Sequence, residues 1–98
     1  MYHIVWEYEV RADRLAEFEA LYGPAGAWSR LFRPAGGYIG SELYRDTVRP
    51  THFVSLDRWI SRAAFEAYLP TVGEAYRQLD EEGSALTTEE ARLGAFES

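Results

Sequence analysis

Three features of the sequence predict an α+β fold built on one antiparallel sheet. Tyr2 to Val10 alternates apolar and polar side chains at the period of a strand. Thr51 to Leu69, T-H-F-V-S-L-D-R-W-I-S-R-A-A-F-E-A-Y-L, passes from strand-type residues into a helical repeat without a linker. The elements follow one another as strand, helix, strand, strand, helix, strand, which is the ferredoxin-like split βαβ order with a four-stranded antiparallel sheet. With 98 residues and no linker, a single domain spanning residues 1–98 is expected.

The first strand carries Tyr2, Ile4, Trp6, Tyr8 and Val10 on one side and His3, Val5, Glu7 and Glu9 on the other. One face is therefore well buried and the other covered in part. Asp13 is placed to cap a helix whose Leu15, Phe18 and Tyr22 share one side, and Gly23-Pro24 ends it. The stretch from Gly23 to Gly37 is long for a connection and holds Trp28, Leu31 and Phe32 at helical spacing. It reads as a cover over the core, either a lid or a plug.

Gly36-Gly37 turns the chain into a second strand, Tyr38 to Arg45, with Ile39 and Leu43 on one face and Tyr38 and Tyr44 on the other; Gly40 suits a bulge. Asp46 to Pro50 forms the loop into a third strand, Thr51 to Trp59, antiparallel to the second. Ser61 is an N-cap residue for the helix that holds Phe65, Tyr68 and Leu69. Pro70 breaks that helix, and Thr71-x-x-Glu74 has the form of a capping box for another, with Val72, Ala75, Tyr76 and Leu79 on one side. Gly83 is read as its end, the run Asp80, Glu81, Glu82 as its solvated terminus, and Ala91 to Phe96 as the last strand. Apolar residues lie on both faces of strands one to three, so a second sheet should cover the bare face, as in a homodimer.

Apolar residues make up 47% and charged residues 27% of the chain, which places it among globular proteins and not disordered ones. There is no Cys, which removes disulfides and thiolate chemistry, and no Lys, which removes Schiff-base chemistry. The net charge is −6 and the ten basic residues, all Arg, are dispersed. No basic stripe exists to neutralise phosphates, which argues against a nucleic-acid partner. No membrane-spanning run or signal segment is visible, and a cytoplasmic location is expected. Two histidines without matching carboxylate spacing make a poor metal site, so neither a metal nor another cofactor is expected.

Several segments together resemble the antibiotic biosynthesis monooxygenase (ABM) superfamily: G-P-A-G-A-W-S-R-L-F at Gly23 to Phe32, G-Y-I-G-S-E-L-Y-R-D at Gly37 to Asp46, L-D-R-W-I-S-R-A-A-F at Leu56 to Phe65, and the ending A-R-L-G-A-F. The resemblance implies a dimeric α+β barrel. It also implies metal- and flavin-free oxygen chemistry on electron-rich phenols and quinone precursors, or haem binding and degradation. The haem-degrading branch carries an Asn on its first strand and a His in the helix after the third. This chain has no Asn anywhere, and Tyr68 and Leu69 occupy the helical region in question. Trp59 matches the Trp shared by both branches.

A cofactor-free oxygenase needs a dry wall, a base and donors for a developing oxyanion. Trp6, Phe53, Phe65, Trp28 and Phe32 are the candidate substrate-binding wall. The Trp59 indole N–H and the Tyr68 hydroxyl are candidate donors, and His52 or Asp57 the candidate base. Each also has a plain alternative: core packing for the aromatics, a strand end for His52, and an ion pair with Arg58 or Arg62 for Asp57. Trp59 is expected to border a pocket between the sheet and the helix starting near Ser61, closed over by Trp28 to Phe32. The leading expectation is a monooxygenase acting on a small aromatic or polyketide-like molecule. The alternative is a non-catalytic ligand-binding or stress-related dimer.

Overall fold

The computed structural model describes residues 1–98. Its elements are β1 (Tyr2–Val10), α1 (Leu15–Tyr22), α2 (Ala27–Phe32), β2 (Tyr38–Arg45), β3 (His52–Trp59), α3 (Arg62–Tyr68), a short 3₁₀ turn (Leu69–Val72), α4 (Gly73–Leu86) and β4 (Thr87–Glu97). The strands pair antiparallel in the order β2-β3-β1-β4. This is the ferredoxin-like α+β fold, with the two halves of the split βαβ unit supplying the central strands.

Alternation sorts each strand into two faces. Toward the helices, Tyr2, Ile4, Tyr8, Val10, Phe53, Ser55 and Trp59 are buried. On the reverse side, His3, Val5, Glu7 and Glu9 of β1 and His52, Val54, Leu56 and Arg58 of β3 are all half-buried. The helical face holds two apolar clusters. Tyr8, Val10, Phe18, Tyr22, Phe53 and Leu86 form one; Tyr2, Ile4, Phe32 and Trp59 form the other. Trp6 and Trp28 pack against both. Ring contacts run through the first cluster, with Phe18 stacked on Tyr22 at 4.4 Å and tilted against Phe53 at 5.1 Å. Such pairs add about 0.5–1.5 kcal/mol each beyond the area they bury.

Ser61 caps α3 as its residue type predicts, accepting from the Ala64 N–H at 3.0 Å. The other expected cap residues behave differently. Arg14, not Asp13, precedes α1, and its guanidinium reaches forward to Glu17 at 2.6 Å. Thr71 does not cap α4; its hydroxyl donates back to the Tyr68 carbonyl at 2.6 Å and closes the 3₁₀ turn around Pro70. Gly83 does not end α4, which runs on to Leu86. Its role is close approach, because a Cβ there would lie 2.1 Å from the Tyr22 hydroxyl oxygen. β4 starts at Thr87, ahead of the expected Ala91, because Val10 already pairs there.

The largest departure is in β2, where the register slips between Tyr38 and Gly40. Ile39 is the extra residue and is 51% exposed. Beyond it the alternation is reversed, so Tyr38 opposite Trp59, Ser41 opposite Asp57 and Leu43 opposite Ser55 share the helical face. Tyr38 was expected on the opposite face from Leu43; the bulge puts them on the same one.

Candidate functional site

Between the two clusters lies a cavity of about 60 Å³. Its walls are mostly aromatic: Trp6 and Tyr8 from β1, Tyr22 from α1, Trp28 and Phe32 from α2, Phe65 from α3 and Tyr76 from α4. Ser55 and Asp57 enter from the central strand β3 and Ser41 from the edge strand β2, while Asp80 and Glu90 come from α4 and β4. The volume is several times the roughly 10–15 Å³ that one ordered water needs. It is below the roughly 300 Å³ of a pocket that encloses a drug-sized molecule.

Asp57 is the chemically distinctive group. The cross-strand register sets Ser41 opposite it, and the Ser41 hydroxyl donates to Oδ1 at 2.5 Å. The Tyr38 hydroxyl lies 2.6 Å from Ser41 Oγ and 3.2 Å from Ser29 Oγ. Because Ser41 spends its one proton on Asp57, its contact with Tyr38 draws on the single Tyr38 proton, for which the Ser29 oxygen also competes. No cation joins this chain. Arg58, expected as a partner of Asp57, is on the reverse face beside Glu42, and Arg62 pairs with Glu66 at 2.7 Å. Burial pushes the Asp57 carboxyl up to about 6, with the Ser41 hydrogen bond acting against that rise. Burial likewise raises the Tyr8 and Tyr22 hydroxyls, which stay neutral phenols. The Trp28 indole N–H is buried without a well-aligned hydrogen bond, and the Tyr22 hydroxyl, whose rise it offsets in part, is the acceptor within its reach.

The structure brings Asp57, Trp6, Trp28, Phe32 and Phe65 together around the cavity. It places the other candidates elsewhere. Trp59 is 0% exposed, ringed by Phe32, Tyr38 and Phe65 at 5.3–5.5 Å. It does not line the cavity: Phe32 and Phe65, which pack on it, do. The Tyr68 hydroxyl donates to the Leu31 carbonyl at 2.7 Å and ties α3 to α2. Phe53 sits in the other cluster, with the Arg45 guanidinium 5.3 Å over its ring. His52 is on the reverse face, its ring nitrogens 3.1 Å from Glu7 and 3.1 Å from Asp46.

Sequence reasoning missed Ser41, Ser55, Tyr76, Asp80 and Glu90. Ser55 shares the parity of Asp57 and could have been found by alternation. Asp80 stands one helical turn after Tyr76 on the same face; its run with Glu81 and Glu82 is exposed throughout, as it reads, and Glu81 pairs with Arg77. No group of three or more His, Cys, Asp or Glu side chains is arranged to hold a metal ion.

The sequence profile of the family described as antibiotic biosynthesis monooxygenase matches residues 1–78. The chain belongs to this family. Solved structures of similar shape include an ABM protein of Deinococcus radiodurans, provisionally named as such, with a TM-score of 0.79 at 18% identity, covering 100% of this chain and 92% of that one. SnoaB of Streptomyces nogalater, a cofactor-independent oxygenase, gives 0.76 at 22% identity, with 99% and 91% covered. A Mycobacterium tuberculosis protein gives 0.72 at 17%, with 99% and 93% covered. At these identities the likeness is one of fold. No curated protein matches the chain by sequence. No helix of this ABM chain is long and apolar enough to cross a membrane.

Proposed function

We propose that this chain is a cofactor-independent monooxygenase acting on a small, electron-rich aromatic or polyketide-like substrate, with Asp57 as its general base. The observation that carries this reading is a carboxylate without a cation, set in an aromatic-walled cavity and raised to about 6. A group at that value is ionised at neutral pH and is a stronger base than an exposed Asp. Family membership and the fold shared with a cofactor-independent oxygenase support the same assignment.

The chemistry balances without a redox partner. Asp57 takes an acidic C–H or O–H proton from a phenol or anthrone. The resulting anion passes one electron to dioxygen, the substrate radical and superoxide combine to a peroxide anion, protonated Asp57 returns its proton to give the hydroperoxide, and loss of water with the remaining C–H hydrogen leaves the carbonyl of a quinone. One oxygen atom ends in the product and the other in water. Trp28 takes the donor role that Trp59 cannot fill, since its N–H has no well-aligned hydrogen bond and its side chain lines the cavity. Because about 60 Å³ is too small for a polycyclic ring system, binding requires outward movement of the α2 cover.

We also infer a homodimer through the reverse face of the sheet, whose Val5, Val54 and Leu56 are left half-buried in one chain. Sedimentation should then report twice the chain mass. The test of the reaction is oxygen uptake with hydroxylated anthrones and naphthols in metal-free buffer. Uptake by the wild-type protein that rises with pH through about 6 and is lost in Asp57→Asn is the expected result. Binding without uptake for every such compound would leave a ligand-binding protein in its place.

A further inference from the structure

We propose that the cavity selects aromatic ligands that carry a basic nitrogen and disfavours anionic ones. This rests on the cavity being the ligand site and adds the charge of the ligand to it.

Three carboxylates line the cavity, Asp57 within it and Asp80 and Glu90 at its α4 and β4 sides, and none of them has a cationic partner. The chain's Arg–carboxylate pairs all involve other acids, such as Glu17, Glu19, Glu42, Glu66 and Glu74. Glu90 also lines a second groove with Arg49 and His52, although no ion pair joins it to either, and Arg92 is near enough to the cavity wall for its charge to act on the Tyr76 hydroxyl. Arg92 stands opposite Trp6 in the sheet but lines the neighbouring groove, where its guanidinium lies 3.5 Å from the Tyr2 hydroxyl. Desolvation, then the Asp80 charge, raises the Glu90 carboxyl. Like charges lining the exposed side of a cavity without a cationic partner make a place where a cation is favoured and an anion opposed.

The walls suit the same ligand. Trp28 and Tyr76 meet edge to face at 4.8 Å, and with Trp6 and Phe65 they surround the space with π faces. An ammonium group held against such rings gains cation–π attraction in addition to the carboxylate field. The buried Trp28 N–H offers a donor to a hydroxyl or carbonyl oxygen on the same molecule. The fitting ligand is therefore a hydroxylated aromatic with an amine substituent, its ring among the aromatics and its nitrogen toward Asp80 and Glu90.

The test uses one aromatic core in three charge states, read by quenching of tryptophan fluorescence in the full chain. The ligands are 2-naphthol, its 1-dimethylaminomethyl derivative and 3-hydroxy-2-naphthoate. The amine should bind about tenfold more tightly than 2-naphthol, and the naphthoate more weakly than either. The amine's advantage should shrink as salt rises from 50 to about 500 mM. In Asp80→Asn/Glu90→Gln the ratio of amine to neutral affinity should fall toward one; the single variants serve if the double variant fails to fold. Naphthoate binding as well as the amine, or an unchanged ratio in the folded variants, overturns the proposal. Oxygen uptake without charge preference would sink this inference alone, and charge preference without uptake would sink only the oxygenase reading.

Discussion

Asp57 and Arg58 are neighbours in sequence and sit on opposite faces of β3. On the reverse face both ionisable side chains of this strand have partners. Arg58 pairs with Glu42, and His52 lies between Glu7 and Asp46. On the helical face Asp57 has one serine hydroxyl and no cation. Paired charges on a half-buried face are accounted for by structure and association. An unpaired carboxylate in an aromatic cavity is a cost to folding, and it is the kind of cost that functional sites carry.

The largest expected effect is at Asp57. Asp57→Asn should reduce oxygen uptake by about 10²–10⁴-fold, the usual contribution of a general base. The same change should stabilise the fold. A carboxyl whose folded value lies above its unfolded one opposes folding once ionised, so the wild type loses stability as pH rises from about 4 through 6. At pH 8 the Asn variant should gain up to about 3 kcal/mol in urea unfolding, and at pH 4 almost nothing. Equal stabilities at pH 8 would break the contrast between the two faces.

Trp59→Ala is the next largest, a loss of about 3–5 kcal/mol in urea unfolding because the ring is fully buried. Trp59→Phe should cost less, since it removes an indole N–H that has no partner. It should leave naphthol affinity unchanged, because Trp59 does not line the cavity. A weakened affinity in the Phe variant would return Trp59 to the site.

Ser41→Ala sharpens the contrast from the other side. Removing the donor that holds the Asp57 charge should raise that carboxyl further, by about one unit for a hydrogen bond worth about 1.5 kcal/mol. The rising limb of the pH–rate profile should move to higher pH by the same amount. The smallest effect belongs to Asp46, where backbone N–H groups of Arg49 and Val48 hold the carboxyl down at about 2. Its stabilisation is present above pH 4 and disappears as pH falls toward 2, so Asp46→Asn should lower the melting temperature slightly at pH 7 and leave it unchanged at pH 2.

The faces of β1 and β3 were legible because period-two alternation is a strong signal, whereas the bulge in β2 broke it; β1 and β2 have the expected bounds. Parity alone separates His52 from Asp57, so the placement of His52 on the reverse face was available from the sequence. The depth of Trp59 was not, because it depends on α2 and α3 converging on the end of β3. Caps were legible only where a side chain had no competing bond. Ser61 had none, whereas the Thr71 hydroxyl found the Tyr68 carbonyl first. The rim of the cavity was hidden for a further reason: Asp80 and Glu90 come from elements that meet only in three dimensions.

The bulge at Ile39 sets what changes of length the site tolerates. In an unbroken strand, residues three apart project to opposite sides, so a Tyr at 38 and a Ser at 41 could not share a hydrogen bond. One supernumerary residue brings both to the same side and makes the chain from Tyr38 through Ser41 to Asp57 possible. Strand β2 is thus out of phase with itself by a single position. Deleting Ile39 would leave the tyrosine and the serine two positions apart, so a regular strand would still hold both on the side of the acid, whereas one further residue inserted between them would turn one of the two away. Point substitution at this exposed position is mild by comparison, since it is the bulged backbone, and not the isoleucine side chain, that keeps the two hydroxyls in line.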